Sequence, residues 1–426
     1  MAGLTEEIGN GEIAMAHYDK LETREPAERE RALFAHLPHY LEQTRERAPA
    51  LARRLEGIPS GEITDRASLA RIPVLRKSDL AELQRSAPPF GGLAGGPLGQ
   101  CAHVFSSPGP LYEPAARRAD YGAFARALFA AGFRPGDLVY NTFSYHFTPA
   151  GLMVDSAAQE LGCAVFPAGV GHTDLQVAAI AHLRPRGYAG TPSFLKILLD
   201  KAQETGADVS SLTSGLVSAE ALPATLRAQF AAQGIRVLQC YTTAELGVIA
   251  YESETMEGLI VNERLIVEIV RPGTDEPLTD GDVGEVVVTN LASPEYPLVR
   301  FGTGDLSAVL PGASPCGRTN MRIRGWLGRA DQSAKVRGMF VHPGLVAQIV
   351  RRHPELLRAR LVVRREGEAD EMTLRCETES TAGRALADSV AASIRDICKV
   401  RGEVELVAAG SLPNDGKVID DTRPVP

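Results

Sequence analysis

Leu33, Leu37 and Leu41, and later Leu51 and Leu55, recur near helical spacing among arginines and glutamates, which predicts helix over 25–57. "IPVLRKSDL" (72–80) follows as a short strand or turn leading into a helix capped near Ser78. The glycine-rich "GGLAGGPLG" (91–99) reads as a surface loop. From Ala115 the pattern alternates. A helix over 115–131 ends at Gly132, and "DLVYNTFSY" is a strand. A helix follows around 151–161, then the strand "CAVFPAG" and the helix "DLQVAAIAHL". "GYAGT" is a short strand and "SFLKILLDKAQE" a helix capped by Ser193. The strands "SGLVSAE" and "IRVLQCYTT" flank the helix "PATLRAQFAAQ". Strands alternating with helices in this way build a parallel α/β sheet, and ligands sit beyond the carboxyl ends of such strands. Ser218-Ala219-Glu220 and Tyr241-Thr242-Thr243-Ala244-Glu245 then lie on neighbouring loops above one crevice.

Beyond Tyr251 the texture becomes β-rich. "RLIVEIV", "GEVVVTN", "YPLVRFGTGDLSAVL" and "RIRGWLGR" suit a small barrel or a distorted sheet. A last segment reads as α+β. It has a helix near 343–353, strands at "RARLVVRR" and "MTLRCETE", a helix over 383–399 and a strand at "VELVAAG". The expected fold is therefore α/β: a large N-terminal domain (1–328) with parallel-type sheets and a β-rich subdomain, and a small mobile α+β C-terminal domain (329–426).

Composition narrows the function. The 426 residues are 44% hydrophobic and 23% charged, as in a soluble globular protein. A net charge of −8 without a long basic run argues against nucleic acid or an anionic membrane as partner. The six cysteines form no C-x-x-C pair, so free thiols in a reducing cytoplasm are expected. The acidic opening residues lack the apolar core of a secretory signal, and no apolar run approaches the ~20 residues that span a bilayer.

Several short blocks stand in one order: "TPS" (191–193), "SAE" (218–220), "YTTAE" (241–245), "RFGTGDL" (300–306), "GRADQSAKVRG" (328–338) and "LPNDGKVIDDTR" (412–423). With the opening "YDKLETREPAERERAL" (18–33) and "IPVLRKSDL", this order resembles the adenylate-forming superfamily of acyl-CoA ligases, in its phenylacetate–CoA ligase-like branch. The resemblance covers nearly the whole chain. It implies that ATP, Mg²⁺ and CoA are used. A carboxylate attacking an α-phosphate brings two anions together, so the site must supply positive charge and a metal. By resemblance Glu245 holds Mg²⁺, which favours one or two carboxylates with phosphate oxygens and water. Tyr241 offers a face to adenine, beside Ser218, Ala219, Glu220, Thr242 and Thr243. Asp305 matches the aspartate that accepts both ribose hydroxyls, and Arg329 adds a ribose or phosphate contact. Lys417 matches the lysine that meets the acyl carboxylate and the α-phosphate, with Gly416 allowing close approach. Asp331 matches the hinge. Rotation about it would withdraw Lys417 and bring Lys335 and Gly338 to the pantetheine arm of CoA.

One block departs from the family. Its phosphate loop reads Ser-Ser-Gly-Thr-Thr-Gly-Lys-Pro. Here residues 106–114 are Ser106-Ser107-Pro108-Gly109-Pro110-Leu111-Tyr112-Glu113-Pro114. Two threonines and the lysine are gone, the new prolines carry no N–H, and Glu113 stands near the lysine's place. Ala244 replaces a threonine in the Tyr…Glu block, and Gly302 stands where a basic residue is usual. Three readings follow: an acyl-CoA ligase that still grips ATP through Ser106, Ser107 and Mg²⁺; an adenylating enzyme that passes the acyl group to a carrier protein or an amine; or an AMP- or acyl-CoA-binding protein. Lys417 and Glu245 favour the first two, since a mere AMP binder needs neither.

"TFSYHFTPAG" (142–151) lies where the family lines its acyl pocket. Phe143, Tyr145 and Phe147 alternate along an expected strand, with His146 opposite, as an aromatic slot or as core packing. Gly169 and Gly171 in "PAGVGHTD" would close that slot. Relatives with a Cys/His cluster after the Tyr…Glu block hold zinc. "GVIAYESETMEGL" has neither residue type, so no zinc is expected. A homodimer is expected by analogy with this branch.

Overall fold

Five short apolar runs between Leu138 and Thr243 become the parallel strands Leu138–Asn141, Ala164–Pro167, Gly187–Gly190, Ser214–Val217 and Arg236–Thr243. The computed structural model describes residues 17–107, 111–337, 339–366, 369–379, 383–413 and 417–423, apart from the side chains of Ser78, Asp331, Lys335, Phe340, Glu366 and Ala369. The chain forms two compact units. Residues up to Leu33, Ala115–Glu263 and Gly312–Met321 make the first. Phe34–Pro114, Arg264–Pro311 and the chain from Arg322 onward make the second.

In the first unit the sheet order is 164–167, 138–141, 187–190, 214–217, 236–243, continued antiparallel by Gly247–Tyr251 and Leu259–Val261. Successive strand residues point to opposite faces, and each face has its own core. Val139, Ala189, Leu216 and Leu238 join Phe124, Leu128, Met153 and Val154 on one side. Tyr140, Tyr188, Val217 and Val237 join Ile180, Leu195, Leu198 and Phe230 on the other. Helices therefore cover both faces, as a parallel sheet requires. The first strand in sequence lies between the second and the third, so the order reverses beside it. Open α/β sheets bind ligands in the crevice at such a reversal.

Three local expectations change. The helix expected over 115–131 is confined to Ala125–Ala130, because Leu111–Ala115 is a strand and Asp120 Oδ1 accepts the Ala125 N–H. The cap of the helix Pro192–Thr205 is Thr191, which accepts from Phe194 N–H, and not Ser193; Pro192 takes the first helical position. The long N-terminal helix is two, Pro26–Arg45 and Pro49–Arg54.

The second unit holds two sheets that matter for the site. Leu265–Val270, Gly284–Asn290 and Phe301–Ser307 form antiparallel pairs, edged by the parallel strand Leu75–Arg76. This is the distorted sheet of the two alternatives, with a register shift between Glu285 and Val287. Arg300 is fully buried against it, donating to Glu268 at 3.0 Å and to the carbonyls of Ala70, Ile72 and Asp275. The second sheet orders Glu403–Ala408, Ala369–Thr378, Leu356–Glu366 and Ile419–Asp421. The helices Pro343–Arg352 and Gly383–Cys398 bury Val346, Ile349, Leu386, Val390 and Ile394 in its core.

Candidate active site

All five loops that follow the parallel strands of the first unit carry candidate residues. The strand ending at Asn141 does not continue through "TFSYHF" as expected, so Phe143, Tyr145 and Phe147 do not share a face. Asn141 bends the chain there: its amide donates to the Tyr145 hydroxyl and to Gly151 O, while its Oδ1 accepts the Phe143 N–H. Phe143 turns into the core. Tyr145 donates to Asp155 at 3.1 Å, and burial, helped by Asp155, pushes its phenol up. His146 is exposed, and Phe147 is 82% exposed with φ of +61°. The next loop is held by the Gln176 amide, which donates to the carbonyls of Gly169 and Gly171.

At the strand-order reversal a chain of hydroxyls links two loops. Thr142 Oγ1 donates to the Tyr188 hydroxyl, which donates to Thr191 O. A Cβ on Gly190 would lie 2.0 Å from Thr142 Oγ1, so only glycine allows this arrangement. Ser193 N–H donates to the Glu220 carboxylate at 3.3 Å, tying "TPS" to "SAE". Ser218 Oγ donates to Cys240 O and lies 2.9 Å from Thr242 Oγ1, tying "SAE" to "YTTAE". Ala219 has φ of +67°. Tyr241 is largely buried on its strand, and Thr243 Oγ1 accepts the Leu246 N–H. Glu245 sits in the turn between Arg236–Thr243 and Gly247–Tyr251, with both carboxylate oxygens buried. Gly247 closes that turn, because a Cβ there would meet Gly122 O at 2.3 Å. Among the described residues no three His, Cys, Asp or Glu side chains converge as a metal cluster. Glu245 alone is enough for Mg²⁺ that takes its remaining ligands from phosphate and water, so the residues fit that ion.

The other candidates belong to the second unit. Asp305 lies on Phe301–Ser307, and its Oδ1 accepts from Arg329 Nη1 at 3.2 Å and from Trp326 Nε1 at 3.1 Å. Gly304, at φ +75°, has no Cβ to obstruct the Arg329 guanidinium, which would stand 2.6 Å from one. The sequence reading missed Trp326. Its only signal is that the chain's single tryptophan stands three residues before Arg329. Lys417 is exposed and pairs with Asp420 at 3.3 Å.

In the hairpin His103–Ser107/Leu111–Ala115, the Ser107 hydroxyl donates to Glu113 at 2.7 Å, and both side chains are buried. Ser106 is half-buried beside it. The Gln84 amide pairs with the Tyr112 backbone in both directions, which fixes the return strand. Pro108, Gly109, Pro110, Gly338 and Gly416, and the side chains of Asp331 and Lys335, lie outside the described residues.

The comparisons with known proteins agree on one family. The pattern for an AMP-binding enzyme matches residues 119–292, and that for an AMP-binding enzyme C-terminal domain matches residues 338–422. A phenylacetate-coenzyme A ligase of Thermus thermophilus is 31% identical, covering 94% of this chain and 97% of its own. The enzyme of the same name from Aromatoleum evansii is 30% identical, covering 83% of this chain and 80% of its own. An open conformation of 2-hydroxyisobutyryl-CoA ligase, solved with 2-HIB-AMP and CoA, superposes with a TM-score of 0.84 at 26% identity, over 94% of this chain and 93% of that one. The chain belongs to the adenylate-forming AMP-binding enzymes, in their phenylacetate–CoA ligase-like branch.

Proposed function

We propose that this protein is an AMP-forming acyl-CoA synthetase that activates a carboxylic acid, of aromatic type, and transfers it to CoA. A carboxylate oxygen attacks the α-phosphorus of ATP, the bond to the β-phosphate breaks and pyrophosphate leaves. The CoA thiol, losing its proton, then attacks the acyl carbon, and AMP leaves with the bond electrons. The observation that carries this reading is the row of loops at one sheet edge, where "TPS", "SAE" and "YTTAE" are tied side to side by Ser193–Glu220 and Ser218–Thr242. Tyr241 would face the adenine. Asp305, its Oδ1 oriented by Arg329 and Trp326, would take the ribose hydroxyls. Glu245 would hold Mg²⁺, which would supply positive charge to the phosphates.

Lys417 would bridge the acyl carboxylate and the α-phosphate during adenylation. Residues 329–426 would then turn about Asp331, withdrawing Lys417 and bringing Lys335 and Gly338 to CoA. The named ligands of the relatives support the two half-reactions. They also span a phenylacetate enzyme and a 2-hydroxyisobutyrate enzyme, so the choice of acid falls to Tyr145, Phe147 and the 167–174 loop. The free thiols suit a cytoplasmic protein, and sedimentation at micromolar concentration checks the homodimer expected of this branch.

A coupled assay tests the proposal. Protein, ATP, Mg²⁺ and a panel of aryl and short branched acids are assayed for pyrophosphate, with and without CoA. Pyrophosphate and thioester for at least one acid is the expected result, and no pyrophosphate with any acid removes the reading. Lys417→Ala should lower pyrophosphate release at least a hundredfold, the loss of a charge-assisted contact made in the transition state. Thioester formation from supplied acyl-AMP should stay within about threefold of wild type.

A further inference from the structure

The loop that carries Lys417 is fastened on both sides by side chains, none of them among the residues that the sequence reading placed at the site. On its approach, Arg360 donates to Pro413 O at 3.1 Å and Arg358 donates to Leu412 O. The two arginines are alternate residues of Leu356–Glu366, so they share one face. Glu377, on the neighbouring strand, accepts the Leu412 N–H at 2.7 Å and an Arg358 N–H at 3.0 Å. On its exit, Val418 gives its carbonyl to Leu361 N–H at 2.9 Å and its own N–H to Gln332 Oε1 at 2.9 Å.

Gln332 differs from the others in where it comes from. It closes the turn Ala330–Gln332, directly after Asp331. Three residues earlier, Arg329 is paired with Asp305. One four-residue segment thus holds Asp305 at one end and the residue after Lys417 at the other. We propose that Gln332 is a positioning residue for adenylation, which couples the turn at 330–332 to the placement of the Lys417 ammonium. The inference rests on the reading of Lys417 given above.

The reason is geometric. Lysine has four rotatable side-chain bonds and no planar fork, so its ammonium is only as well placed as its backbone. An amide that fixes the adjacent N–H removes freedom at the base of that stem. Reactions that depend on orientation lose rate when such support is lost, with little change in ground-state binding. The Leu361 bond and the strand Ile419–Asp421 hold Val418 at its carbonyl and beyond, whereas Gln332 takes its N–H on the lysine side, so the strand does not replace this bond.

Three variants of the full-length protein test the inference. Gln332→Met keeps the length and loses the acceptor, Gln332→Glu keeps an acceptor, and Lys417→Ala reports on the lysine itself. Gln332→Met should lower kcat for pyrophosphate release roughly two- to tenfold, the range of one neutral hydrogen bond, with KM for ATP unchanged. Thioester formation from supplied acyl-AMP should be unaffected, and Gln332→Glu should recover most of the lost rate. A Gln332→Met enzyme with full pyrophosphate release overturns the inference, provided that Lys417→Ala is impaired. So does equal loss of both half-reactions, which marks a structural role. Full pyrophosphate release by Lys417→Ala overturns the reading of the lysine, and the inference with it.

Discussion

Asp305 is a carboxylate whose orientation is set by its neighbours. Arg329 and Trp326 both bind Oδ1, which fixes the rotation of the group. Hydrogen bonds to a charged partner contribute about 1.5–3 kcal/mol each. Asp305→Asn should therefore weaken AMP binding roughly ten- to a hundredfold, read by calorimetric titration. Affinity within twofold of wild type would remove Asp305 from the nucleotide site. His342 carries a pH dependence instead. It precedes the helix Pro343–Arg352, and burial pushes its imidazole down to about 4. The unfolded chain binds that proton near the ordinary value of about 6.5. The native state is thus fully favoured above that value, and the advantage is lost as pH falls toward 4. Between pH 7 and 4.5 this group should remove roughly 2–3 kcal/mol of stability. Urea unfolding at both pH values checks it: His342→Asn should lose correspondingly less than wild type on the same change.

At the scale of elements, the paired strands His103–Ser107 and Leu111–Ala115 are the departure that matters. Their serines survive from the family's loop, but the buried Ser107 hydroxyl is committed to Glu113. Glu113→Gln keeps an acceptor for Ser107 and removes a negative charge from the return strand. If the hairpin lies by the phosphates, KM for ATP should fall on the order of fivefold, equivalent to about 1 kcal/mol, with KM for the acid unchanged. Steady-state pyrophosphate release measures both, and an unchanged KM for ATP would make the pair purely structural. The parallel strands and their helices were legible from alternating apolar runs, because each element buries a continuous side in one of two cores. The "TFSYHF" strand was misread for a local reason. Its alternation is genuine, but the Asn141 side chain accepts the Phe143 N–H that a further strand would have used and donates to Gly151 O in the helix that follows.

At the scale of the molecule, buried ion pairs close connections between distant parts of the chain. Arg300 and Glu268, both nearly solvent-free, hold the segment 70–72 and the turn at Asp275 to one sheet. Arg300→Met strands a buried carboxylate and should lower stability by about 3–5 kcal/mol, seen in the unfolding midpoint. Adding Glu268→Gln should recover a large part, because the stranded charge is gone. A midpoint unchanged by Arg300→Met would contradict this. The opening stretch around Tyr18 was recognisable only by resemblance. Its physical role appears when Glu22 accepts from Tyr18 N–H, Tyr251 and Arg318, the last 296 positions along the chain. By itself the sequence determined the α/β alternation and the order of the blocks, because periodicity and residue type are local properties; the chemistry assigned to those blocks came from their resemblance to a family. Tertiary structure alone decided that Asp305 is oriented by Trp326, that Ser107 is bound to Glu113 and that Val418 is tied to Gln332. Those contacts join residues whose neighbours in sequence say nothing of their neighbours in space.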